Sequence, residues 1–168
     1  MKALDDPISI FLVDDDKMFL RFLRHSLSRE FKQDVKLYEF YRGEDCLENL
    51  DAEPEIVLLD YYLDYETPRA MNGIEVLKRI KASLTKTSVI MLSAQDKMAI
   101  ASDSIKYGAY DYITKSESAI IKVKNCIYNI ASNIRRARAN QRYERLSYFL
   151  GFIILCFMIL GLIFIAEI

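Results

Sequence analysis

A single histidine, His25, serves the whole chain of 168 residues, so no imidazole-rich metal centre can be assembled from it. Tryptophan is absent, and three cysteines (Cys46, Cys126 and Cys156) form neither a CxxC pair nor an even disulfide framework. Five glycines and three prolines exclude collagen-like and low-complexity classes. Nor is there an excess of positive charge. With 23 Lys+Arg against 24 Asp+Glu, the chain lacks the electrostatic footprint of a nucleic-acid binder. What remains is a chain that is 52% hydrophobic and long enough for one globular domain with an appendage.

The apolar residues are unevenly spread. Between Arg145 and Glu167 runs an uncharged stretch, Leu146 to Ala166, with Phe, Ile, Leu and Met on every side of a helix drawn through it. A helix packed on a globular domain normally keeps a polar stripe. At about 1.5 Å per residue this stretch approaches the roughly 30 Å of a bilayer's hydrocarbon. It reads as a single transmembrane helix. Arg135, Arg136, Arg138, Arg142 and Arg145 precede it and no basic residue follows, so the positive-inside rule predicts a single-pass protein of the cytoplasmic membrane with its globular part in the cytoplasm. The N-terminus, leading straight into a short strand, does not resemble a signal peptide. The expected organisation is a domain over 1–130, a basic helical juxtamembrane linker over 131–145 and a transmembrane anchor over 146–168.

The first 130 residues alternate two patterns. Apolar runs at Ile8–Val13, Ile56–Leu59 and Ser88–Leu92, an alternating stretch at Val35–Phe40 and a last short segment at Tyr110–Thr114 predict strands. Helical spacing at Lys17–Phe31, Gly43–Leu50, Gly73–Ser83 and Asp96–Tyr107, with another helix from about Glu117, predicts the intervening helices. Gly108 suits the left-handed position past a helix end. Strands apolar on both faces and separated by helices imply an α/β fold with a parallel sheet between helical layers. Ligands in such sheets sit beyond the carboxyl ends of the strands. Those ends deliver Asp14, Asp15, Asp60, Ser93 and Lys115 to one edge.

Three carboxylates crowded together repel, and one protonates unless a cation is supplied. Mg2+, a hard ion taking carboxylate, carbonyl and water oxygens, is the expected cofactor. With the ion bound, Asp60 can attack phosphorus to form an acyl phosphate, whose oxygens would find Lys115 as a point charge and Ser93 as a hydroxyl donor. Taken singly, the Asp14–Asp16 triplet could be a solvated helix cap, Asp60 a turn residue and Lys115 a surface charge. Their common placement after apolar strands sets them apart. His25 reads as an exposed helix residue.

FLVDDD, IVLLD, IMLSA and DYITK occur in an order that resembles the receiver domain of bacterial two-component response regulators, over about residues 7–130. The resemblance implies a doubly wound, flavodoxin-like (CheY-like) sheet of five parallel strands in the order 2-1-3-4-5. It implies Asp60 as phosphoacceptor. It also implies Mg2+ on Asp15 directly, on Asp14 through water, on Asp60 and on the Tyr62 backbone carbonyl. Ser93 and Tyr112 take the positions of the switch residues, and Lys115 that of the phosphate-binding lysine. The implied partners are a histidine kinase or histidine phosphotransfer protein and a downstream protein, reached by phosphorylation-dependent contacts. The chain departs from the pattern twice. Ser116 replaces the proline that usually follows the lysine, often after a cis bond, and cis before serine would cost about 2.5–4 kcal/mol. The segment YYLDYETPRAMN between Asp60 and Gly73 is about five residues longer than usual.

Two rival readings stay open at this level. A phosphate-independent interaction module would keep the same residues unused. A haloacid-dehalogenase-like phosphatase would use Asp14-x-Asp16 with Ser93 and Lys115, but needs an acidic pair after its lysine, has only Glu117, Glu144 and Glu167 to offer, and leaves Asp60 without a role. Past Ser116, Ile120, Val123, Ile127, Ile130, Ile134 and Ala137 hold a/d spacing for barely three heptads, a route to a homodimer unless the first half packs on the sheet.

Overall fold

The structure, a computed structural model, describes residues 6–63, 71–95 and 97–166, with side chains described as far as position 153. Five parallel strands, β1 (Ile8–Val13), β2 (Val35–Phe40), β3 (Ile56–Asp60), β4 (Ser88–Ser93) and β5 (Asp111–Thr114), form one sheet in the order β2-β1-β3-β4-β5. The expected 2-1-3-4-5 topology is therefore found. Every residue of β1 and β3 is buried, as apolar runs without alternation require of strands covered on both faces. Edge strand β2 alternates between half-buried and exposed positions along most of its length.

Helices α1 (Lys17–Phe31), α2 (Gly43–Glu48), α3 (Gly73–Ser83), α4 (Met98–Lys106) and α5 (Ala119–Ala166) follow the strands in turn. One core layer gathers Phe11, Val13, Val57, Leu59, Val89 and Met91 of the sheet with Val76, Leu77 and Ile80 of α3. The alternate strand positions face the other way by strand geometry. Leu20, Leu23 and Leu27 of α1 and Val123, Ile127 and Ile130 of α5 are likewise buried. The first heptad residues of α5 are thus spent on the core of the unit formed by residues 5–131. Compared with the sequence reading, α2 stops at Glu48 and gives way to a 3-10 turn at Leu50–Ala52, and α4 begins at Met98. Asp96 lies outside the described residues. Gly108 takes φ +92, where a side chain would be strained.

From Ser132 onward the chain belongs to a second unit. Here the expected membrane span does not stand: among the described residues, no helix is long and apolar enough to cross a membrane. Helix α5 is one continuous helix that starts in the core and carries Arg135, Arg136, Arg138, Arg142 and Arg145 before this stretch, with side chains described to Ile153. The rest of the expected stretch, residues 154–168, lies outside the described side chains. The assignment to the cytoplasmic membrane, with the membrane as a partner, is corrected accordingly.

Candidate functional site

The site is built where the ladder of the sheet runs past its strand ends. The amide of Asp14 donates to the Phe40 carbonyl, that of Tyr61 to Leu92, and that of Lys115 to Ser93, at 3.1, 2.8 and 2.7 Å. These bonds fix the backbone just where the polar side chains begin. Asp14, Asp60 and Ser93 are almost fully buried, and Asp15 is exposed. Carboxylate oxygens of Asp14, Asp15 and Asp60 lie within 4.8 Å of one another.

The Asp14–Asp16 triplet divides its labour. Asp16 caps α1, its Oδ1 accepting from the amides of Met18 at 2.8 Å and Phe19 at 3.1 Å. Asp14 turns inward and also accepts from the Asp16 amide through Oδ1. The triplet thus divides between a helix cap, Asp16, and a carboxylate cluster in which Asp14 and Asp15 meet Asp60. Because Asp16 is engaged at the helix start, the Asp14-x-Asp16 pair of the phosphatase reading loses its second member.

Lys115 reaches across the acids. Its Nζ stands 2.7 Å from Asp14 Oδ2 and 3.0 Å from Asp60 Oδ2, and 4.6 Å from the centroid of the Phe19 ring. Burial pushes the Asp60 carboxyl up to about 7, with Asp14 adding to the rise and Lys115 opposing it. Burial likewise raises Asp14, again against Lys115. For Lys115, burial works to lower the ammonium, but Asp60 and Asp14 outweigh it and the net shift is upward. One cation is thus shared by two buried acids, and Asp60 Oδ1 is buried with no hydrogen-bond partner among the described residues. An orphaned carboxylate oxygen beside two further carboxylates is the donor set that Mg2+ fits.

The remaining expected residues are placed as follows. Ser93 ends β4, its Oγ accepting from the Gln95 amide at 3.2 Å. Tyr112 lies on β5 beside Met91, half-buried, and its hydroxyl donates to the Gln95 carbonyl. Gln95 therefore touches both Ser93 and Tyr112 through its own backbone. Tyr62 follows β3 by two residues, its ring meeting that of Tyr61 edge-on at 4.6 Å. The described residues contain no cis peptide bond, so the Lys115–Ser116 bond is trans. Of the enlarged segment between Asp60 and Gly73, residues 64–70 lie outside the described residues. His25 is exposed on α1 and lines an open groove of about 500 Å³ with Phe22, Ser26, Arg29, Glu30 and Lys124.

Some supporting residues escaped the sequence reading. Gly73 opens α3 so close to β3 that a Cβ there would run into the Asp60 carbonyl oxygen, while its amide bonds to the Tyr61 carbonyl at 2.9 Å. Asn72 and Glu75 close a capping box at the same point. The Asn-x-x-Glu spacing was the available signal. Glu44 of α2 accepts from the Met71 amide, tying down the chain as it returns from the long segment. Cys46 is buried and unpaired, its thiol pushed up to about 12, and Cys126, also raised by burial to about 12, donates to Asp111 Oδ2.

The match to known proteins follows the same residues. Residues 10–123 match the response regulator receiver domain family. The heme response regulator HssR of Staphylococcus epidermidis is 29% identical over 140 residues, covering 82% of this chain and 56% of that protein. The chain therefore spans little more than half the length of that relative. The chemotaxis protein CheY of Listeria monocytogenes is 33% identical over 105 residues, 62% of this chain and 83% of its own. Among solved structures, the BeF3-activated DrrB receiver domain superposes with a TM-score of 0.58 at 29% identity, covering 73% of this chain and 98% of that one. With the fold, the strand-end acids and the lysine all falling inside the matched segment, this chain belongs to the response regulator receiver family.

Proposed function

We propose that Asp60 is the phosphoacceptor of this receiver. Receiver domains are phosphoacceptor modules of two-component signalling, not enzymes in the usual sense, and they interact with histidine kinases or phosphotransfer proteins. In this reading a carboxylate oxygen of Asp60 forms a bond to phosphorus as the donor's P–N bond breaks, and the leaving nitrogen takes up a proton. Asp15 directly, Asp14 through water, Asp60 and the Tyr62 carbonyl would hold Mg2+. When bound, the ion neutralises crowded negative charge and orients the incoming phosphoryl group. Lys115 and Ser93 serve the phosphoryl oxygens, the one as a charge already at the site, the other as a hydroxyl free to exchange its bond from Gln95. Tyr112, held to the same Gln95, carries the change to the surface, where altered contacts with a partner protein are the output. Residues 1–130 do this work, with 131–145 as a linker.

The observation that carries this reading is the buried, unpartnered Asp60 Oδ1 in a cluster that shares one lysine. Treating the full chain with phosphoramidate and Mg2+ and weighing it intact tests it. A single phosphoryl adduct is expected, absent from Asp60→Ala and without Mg2+. An adduct that persists in Asp60→Ala would place the acceptor elsewhere, and no adduct in the wild type would favour the phosphate-independent module.

A further inference from the structure

We propose that Phe19 is a positioning residue for Lys115, its ring face holding the ammonium over the carboxylates of Asp14 and Asp60. The proposal rests on the reading of Asp60 as phosphoacceptor. Its basis is geometric. Lys115 Nζ lies 4.6 Å from the ring centroid, inside the roughly 6 Å within which a cation is drawn to an aromatic face. The lysine side chain is only 15% exposed, so water competes weakly for the ammonium, and a desolvated cation gains most from such a contact.

The ring is not free to drift. The Phe19 amide is bonded to the capping carboxylate of Asp16, so the start of α1 determines where the ring begins. A lysine stem has four flexible carbons and, left to two carboxylates alone, can follow either. Here the acids hold the ammonium at 2.7 and 3.0 Å while the ring adds a third contact. When a phosphoryl group arrives on Asp60, the ion pairs must exchange onto its oxygens. The ring contact needs no exchange and retains the ammonium meanwhile. Leucine at position 19 would fill similar space but offer no negative face. The sequence LVDDDKMF thus encodes two acids, a cap and, three residues beyond the cap, the aromatic surface for a lysine that lies far along the chain.

The test replaces Phe19 in the full chain by mono-, di- and trifluorinated phenylalanine, which weaken the negative face in steps at nearly constant shape. The initial rate of single phosphoryl addition from phosphoramidate with Mg2+ is measured for each, beside Phe19→Tyr and Phe19→Leu. Phe19→Tyr should stay near the wild type, and the fluorinated series should fall stepwise. Trifluorination and leucine should both slow addition by about three- to fivefold, the scale of one partly desolvated cation–π contact. In a Lys115→Met background the series should become flat. A second measurement needs no phosphoryl transfer. In a stability double-mutant cycle, trifluorination and Lys115→Met should couple by about three- to fivefold in the folding equilibrium. If wild type takes no phosphoryl group, the phosphoacceptor reading fails and the cycle alone decides this proposal. A trifluorinated chain as fast as wild type, a series that persists without Lys115, or additive stabilities would each overturn it.

Discussion

The two ends of the sheet are built on opposite rules. At the amino edge, polar groups find partners one after another. The Glu55 carboxylate accepts from the Ser9 amide at 2.7 Å, the Thr87 hydroxyl donates to the Pro54 carbonyl at 2.7 Å, and Lys81 Nζ donates to the Thr87 carbonyl at 2.7 Å. At the carboxyl edge, two buried acids share one lysine and an Asp60 oxygen goes without a hydrogen bond among the described residues. The first edge is closed chemistry and contributes stability. The second keeps unspent charge and costs stability in the cation-free state. The same strands serve both, so the strain at one end is carried by satisfaction at the other.

The largest test of that contrast is Lys115→Met, which leaves both acids without their shared cation. A loss of about 3 kcal/mol is expected at pH 8 in urea melts without divalent ions. The raised lysine contributes fully below its ordinary pKa of 10.5 and loses that contribution only above it, so pH 8 lies well inside the window. Lowering the pH to 5 should shrink the loss, because Asp60 then takes up a proton in the folded state. An unchanged midpoint at pH 8 would show that the ion pairs are idle. Next comes Gly73→Ala, expected to cost about 2 kcal/mol through a Cβ pressed against the Asp60 carbonyl. It should also shift the Asp60 amide resonance, and an unperturbed Asp60 would show that α3 yields instead.

Asp60→Asn should do the reverse and stabilise the metal-free chain by about 1–2 kcal/mol at pH 8, less than the full value of the shift because Lys115 loses a partner. With the folded carboxyl raised to about 7 and its ordinary value 3.8, the penalty is complete above the folded pKa. It declines as pH falls through that interval and vanishes below about 4. Thermal melts at pH 8, 6 and 4 check this. A gain independent of pH would assign the effect to something other than ionisation. Adding Mg2+ should stabilise wild type and leave Asp60→Asn nearly unmoved. The smallest effect belongs to the closed edge. Thr87→Val removes one buried hydroxyl bond and should cost about 1 kcal/mol without altering the rate of phosphoryl addition. Any change in that rate would mean that the two ends are coupled along β4.

The fold was legible because its central strands are apolar on both faces, a pattern few alternatives share, and because Asp60, Ser93 and Lys115 each stand at the end of a strand. Other features depend on three-dimensional contact and leave no local trace. Nothing in the triplet itself says that Asp14 turns inward while Asp16 caps a helix. That division depends on the ladder bond from Asp14 to Phe40 and on where α1 starts. Gly73 looks like any helix-opening glycine until the Asp60 carbonyl is seen behind it. Phe19 reads as one more apolar helix position, and only the return of β5 places Lys115 over it. The C-terminal stretch misled for a different reason. Composition measures the greasiness of a segment without its neighbours, whereas this segment is the end of one continuous helix, α5, that starts in the core and carries five arginines.

The paired rings of Tyr61 and Tyr62, edge-on and directly after Asp60, give the protein a reporter of its own. The chain has eleven tyrosines and no tryptophan, so tyrosine emission is not drained into an indole. These two phenols follow Asp60 directly in the chain, and one of them already feels burial and its neighbour. Ion loading and acyl-phosphate decay should therefore be visible in real time by ultraviolet fluorescence of the native chain, with no label attached.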